Sequence, residues 1–175
     1  VKAARARIRE RGLAERVELI EGDGRAYEPP PGSFDAALCI GATWIWDGYR
    51  GTLEALSARV RSGGFVAVGE PFKLREPAPD RLEQAPDYFA SLASHADNVA
   101  AGVELGLSAL YTVVSSPDDW DRYLGLTWYA AESYATEHPE DPDVPSLLER
   151  ARVERDRYLA FERDTVGWAI YLFRR

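Results

Sequence analysis

The chain has no methionine, a single cysteine (Cys39) and two histidines in 175 residues. So few thiols exclude a disulfide scaffold, and with His95 and His138 far apart no metal site is expected. Cys39 lies inside an apolar run, where a buried, reduced thiol is the expected state. That fits a cytoplasmic protein. Lysine and arginine total 21 against 29 acidic residues, a net charge of −8 with no basic run. Neither a nucleic acid nor an anionic membrane is therefore expected as a partner. No apolar stretch reaches the roughly 18 residues of a membrane span, and no apolar leader follows a basic start. The opening "VKAARARIRERG" carries Ala4, Ile8 and Leu13 at helical spacing but has no cap, so the chain is expected to begin inside a helix.

What is present is a core-forming composition, 46% hydrophobic, in a length suited to one domain over residues 1–175. "RVELIEGD" predicts a strand over residues 17–22, and "YEPPPGS" a loop. "FDAALCIGAT" is almost continuously apolar, the mark of a strand covered on both faces in a parallel sheet. "DGYRGTLEALSARVRSGG" places Leu53, Leu56 and Val60 on one helical face and stops at Gly63-Gly64. "FVAVGEPF" follows as a second buried strand, so this region reads as a βαβ unit. A proline-rich loop or lid, "KLREPAPDRLEQAPD", leads to a helix with Leu92, Ala96, Val99 and Val103 on one face. "LSALYTVVS" is the next strand. Ser116 then caps a helix that Pro117, Asp118 and Asp119 open. A second helix is expected from about Ser146 to Phe161, and "VGWAIYLFR" closes the chain as a strand. The order is α-β-α-β-α-β-α-α-β: an α/β parallel layer with a helical insertion at 117–162 before the last strand.

"AARARIRERGLAERVELIEGDGRAY", "SFDAALCIGAT" and "SGGFVAVGEPF", in this order and spacing, resemble the class I S-adenosylmethionine-dependent methyltransferases, in particular their small-molecule branch. The resemblance covers residues 1–72 by motif and the remainder by order of elements. It implies a Rossmann-like sheet, S-adenosylmethionine as cofactor and methyl transfer to a small-molecule acceptor; a homodimer is a separate, allowed assembly. The family's glycine-rich loop after its first strand, and the acidic residue after its second, have no counterpart here. In the family's sheet those two strands lie between the strands that residues 17–22 and 34–43 would form. A preceding segment of some tens of residues is thus expected in the intact protein, and the chain alone is expected to fold poorly. Another Rossmann-type nucleotide-dependent enzyme, such as an oxidoreductase, and a non-catalytic interaction module are the rival readings.

A carboxylate at the carboxyl end of a parallel strand lies where open α/β sheets bind ligands, which singles out Asp23. The resemblance implies that Asp23 accepts from the adenine amino group, with the Gly24 backbone N–H near the ring; the alternative is a turn aspartate that bonds its own backbone. Gly41 and Ala42 would let a ligand approach the backbone, and the resemblance puts the methionine side of the cofactor there. Trp44 and Trp46 are candidates to wall an acceptor pocket, against a role as core under the next helix. Tyr49 and Asp47 are lesser candidates for orienting the acceptor or acting as a base, the role also weighed for Glu70. Glu70 ends its strand as a candidate for acceptor orientation or for a base, against a salt bridge to Lys73 or Arg75. His95 is the other candidate proton acceptor, against a packing role. Trp120, with Tyr123 and Trp128, would let the insertion cover the acceptor, against a role in fastening two helices to the sheet or to a second subunit.

Overall fold

A computed structural model of the chain describes residues 1–83 and 86–175. Two compact units divide it, Val1–Pro30 and Pro31–Arg175. The first holds one helix, α1 (Lys2–Glu10), whose end is closed by backbone bonds from Arg11 to Arg7 and from Gly12 to Arg9. No residue of α1 is buried. Residues 17–22, expected as a strand, form none. A strand exists only as part of a ladder, and among the described residues no other strand pairs with this run; Val17 donates back to Leu13 instead.

The second unit is a four-stranded sheet flanked by helices, its strands β1 (Phe34–Ile40), β2 (Val60–Lys73), β3 (Ser108–Val114) and β4 (Val166–Arg174) lying in the order β1-β2-β4-β3. The apolar run 34–40 becomes β1 (Phe34–Ile40). A 3₁₀ turn (Thr43–Trp46) and α2 (Tyr49–Arg59) lead into β2 (Val60–Lys73), which lies parallel to β1 in the register Ala36↔Phe65 to Ile40↔Gly69. α2 ends at Arg59 and not at the glycine pair, which belongs to β2. Gly63 donates to Arg175 across the sheet end at 2.7 Å, and a Cβ on Gly64 would stand 2.6 Å from the Asp35 carbonyl oxygen. The pair is thus demanded by strand packing, not by a helix stop. Leu53 and Leu56 of α2 pack with Val60, Val66, Val68 and Phe72 of β2 in the main core, together with a buried Cys39. Each large side chain so buried contributes roughly 1.5–3 kcal/mol of transfer free energy.

Short helices α3 (Pro79–Leu82) and α4 (Pro86–Ser91) occupy the proline-rich connection, of which Gln84 and Ala85 lie outside the described residues. The helix expected across Leu92 to Val103 is divided. α5 (His95–Glu104) starts at a capping box in which Ser94 and Asp97 exchange side-chain and backbone bonds. This local cap outweighs the apolar spacing: Leu92 joins Phe89, Phe161 and Val166 in a small separate core, and Val103 is exposed. β3 (Ser108–Val114) and α6 (Pro117–Glu137) follow as expected, α6 opened by the Ser116–Asp119 capping box. α7 (Val144–Arg157), a π turn (Tyr158–Glu162) and α8 (Arg163–Thr165) return the chain to β4 (Val166–Arg174). β4 runs antiparallel to both β2 and β3, so the sheet is mixed where a parallel layer was expected. The reason is the insertion: β3 and β4 are a hairpin opened by 51 residues, 115–165, and a hairpin is antiparallel however long its connection.

Candidate active site

Every carboxyl end of the parallel pair β1–β2 lies on one edge of the sheet, beside the start of β4 and the end of β3. Chain alternation divides what is there between two faces. Gly69 and Trp168 meet on one face: a Cβ at Gly69 would stand 3.0 Å from the Trp168 ring, and one at Gly41 would stand 3.3 Å from it. Gly41 itself has φ of +70°, where a side chain is strained, and its N–H donates to the Gly69 carbonyl. A cavity of about 430 Å³ opens on this side, lined by Ile40, Gly41, Asp119, Trp120, Tyr123 and Trp168. Trp120 stacks on Tyr123 at 5.7 Å and tilts against Trp168 at 6.0 Å. The first turn of the insertion thus shares a cavity with Gly41.

Glu70, next in the strand, belongs to the other face. It lines a second cavity of about 430 Å³ with Thr43, Trp44, Asp47, Tyr49 and Asn98. Burial holds the Glu70 carboxyl above the usual carboxylate range, against the pull of one hydrogen bond with Thr43. Its Oε2 is buried without a hydrogen-bond partner, and so is the Tyr49 hydroxyl. The two cations that could have made Glu70 a structural residue pair elsewhere: Lys73 with Glu76 and Arg75 with Asp164. Burial also pushes the Tyr49 phenol far up, with Tyr171 and Glu70 adding to the effect. Tyr49 stands edge-on to Tyr171, with ring centroids 5.4 Å apart.

The remaining candidates separate from these two cavities. Trp46 is half-buried, packs against the main core and lies beneath the Arg59 guanidinium at 5.7 Å, the packing role weighed against a pocket wall. His95 sits behind the second cavity, its Nδ1 3.1 Å from the Tyr171 hydroxyl and its ring against Phe72. Trp128 of α6 packs on Tyr158, away from either cavity. Asp23 and Gly24 belong to the Val1–Pro30 unit, where the Asp23 carboxylate accepts from the Arg25 N–H at 2.9 Å, the turn geometry weighed against a ligand contact. Among the described residues no group of histidine, cysteine and carboxylate side chains has metal-site geometry.

Sequence reasoning missed Asn98, Tyr171 and Trp168. Asn98 is buried and donates its amide to the Tyr171 hydroxyl at 3.1 Å. The signal was present, because His95, Asn98 and Gly102 share one helical face at spacings of three and four, and polar residues on a buried face need a partner. Trp168 was hidden in an apolar strand whose alternation gives Tyr171 and Phe173 to the core and Trp168 to the cavity face.

No family model matches the chain. It is 29% identical over 174 residues to YjhP of Escherichia coli K12, an uncharacterised protein, covering 96% of this chain and 68% of that one. It superposes on a methyltransferase of Geobacter sulfurreducens solved with S-adenosyl-L-homocysteine at a TM-score of 0.86 and 28% identity, covering 98% of this chain and 70% of that one. A methyltransferase of Thiobacillus denitrificans with the same ligand gives a TM-score of 0.86 and 27% identity over 99% of this chain and 71% of that one.

Proposed function

We propose that this chain, which has the class I S-adenosylmethionine-dependent methyltransferase fold, carries the acceptor side of an enzyme that methylates a small molecule. The methyl donor is S-adenosylmethionine, whose sulfonium supplies an electrophilic methyl group. The observation that carries the acceptor reading is the pair of cavities, each within the roughly 300–1,000 Å³ of small-ligand sites, opening on the edge where β1 and β2 end. The donor fits the residues present: Gly41, at a φ of +70° where a side chain is strained, lines the first cavity with bare backbone. Gly41 and Ala42 would hold its methionine side. Trp120 and Trp168 exclude water beside Gly41, and Glu70 orients the acceptor or takes its proton. The exposed Leu126 and Tyr129 of α6 support a second role for the insertion, assembly with another subunit such as a homodimer.

Isothermal titration of S-adenosylmethionine, followed by transfer of a labelled methyl group to a panel of small acceptors, tests this reading. Asp23→Ala is expected to weaken cofactor binding by about 1–3 kcal/mol, the loss of one acceptor bond. Unchanged affinity in a folded variant would remove Asp23 from the site. Absence of cofactor binding by the full-length wild-type protein would overturn the whole reading.

A further inference from the structure

The second cavity is chemically one-sided. Its walls bring two carboxylates, Glu70 and Asp47, to the aromatic surfaces of Trp44 and Tyr49, and among the described residues no lysine, arginine or histidine lines it. The nearby cations are committed elsewhere: Lys73 to Glu76, and Arg50 to Glu104 and Glu54. The nearby amide is committed too, since Asn98 donates to Tyr171. Two polar atoms of the wall residues, Glu70 Oε2 and the Tyr49 hydroxyl, therefore stay buried and unpaired. Unpaired buried polar atoms cost stability, and at a functional site they mark bonds that a ligand completes.

Charge and the aromatic surface select the ligand's chemistry; a neutral hydroxyl would pair with both atoms but leave the Glu70 charge unbalanced. An anion would meet two carboxylates. A group that only accepts, such as an ester or a ketone, would serve Tyr49 and leave Glu70 Oε2 unpaired. A protonated amine donates to both oxygens, offsets the Glu70 charge and finds the face of Trp44, 74% exposed, for a cation–π contact. Resting on the methyltransferase reading above, we propose that the acceptor is a small molecule bearing an ammonium group seated between Glu70 and Tyr49 against Trp44, with its methyl-accepting atom elsewhere in the molecule. These groups hold the head and change no bond in it.

Phenethylamine and 2-phenylethanol, alike in shape and different in charge, are the probes. Each is titrated by protein-observed NMR into wild type, Glu70→Gln and Tyr49→Phe, with S-adenosylmethionine titrated separately into the same samples. Wild type is expected to prefer the amine by about tenfold or more, the scale of one charge-assisted hydrogen bond. Glu70→Gln should abolish that preference and Tyr49→Phe reduce it, with the alcohol unaffected and cofactor affinity retained. Equal binding of the two probes by wild type, binding of neither, or an amine preference that survives Glu70→Gln would overturn the proposal. Loss of cofactor binding with the amine preference intact would instead overturn the methyltransferase reading and leave this site standing.

Discussion

Glu70 is expected to lower the stability of the fold it serves. Its carboxyl is held above the ordinary value because burial disfavours the charged form, and Thr43 recovers only part of that loss. The folded state therefore keeps the proton to a higher pH than the unfolded chain. Stability falls as pH rises from about 4.5 through the raised folded value, and the loss is complete above it. Glu70→Gln keeps the shape and an acceptor for Thr43 but does not titrate. The variant removes a partly buried carboxylate with one unpaired oxygen, worth a gain of about 1 kcal/mol at neutral pH. In a domain of this size that is about 2–4 °C in Tm. The assay is a series of thermal melts of both proteins between pH 4 and pH 8. The curves should coincide near pH 4, with the variant higher at pH 7. A variant less stable at pH 7, or a difference that does not change with pH, would refute the reasoning and make Glu70 a structural residue.

Three further outcomes are expected. Gly102→Ala should destabilise by about 1–3 kcal/mol in denaturant titration, because a Cβ there would stand 2.2 Å from the buried Phe173 ring. Tyr171→Phe should cost about 1–3 kcal/mol, since it leaves the buried Asn98 amide without its acceptor, and Asn98→Leu added to it should recover part of the loss. Asp121 is held below 3.8 by the Arg163 guanidinium and the Tyr158 hydroxyl, so its stabilising effect is full above that value and is lost as pH falls through the lowered one. Asp121→Asn should accordingly melt below wild type at pH 6, with the gap closing under strong acid.

The alternation and length of the apolar runs determined β1, the core of β2, β3 and β4, and the Ser116 signal determined where the insertion begins, because these features depend on local spacing and local capping. Glu70 and Gly41 were named as site candidates because strand ends in an α/β sheet share an edge, so residues at those ends converge wherever the strands pair, whereas Trp44, Tyr49 and Trp120 were named from the run after β1 and from the insertion. The tertiary structure decided what local spacing cannot express. Residues 17–22 have a strand's pattern and no partner among the described residues, and a ladder is a property of two segments. The direction of β4 is set by its pairing with β2 and β3, not by the residues within it. Burial distinguished Trp46, tied to Arg59, from Trp44, open to the cavity, although both stand in one short aromatic run. It also left Glu70 and Tyr49 with unpaired oxygens, because whether a polar atom finds a partner depends on which distant side chains, here Asn98 and Tyr171, have already bonded each other.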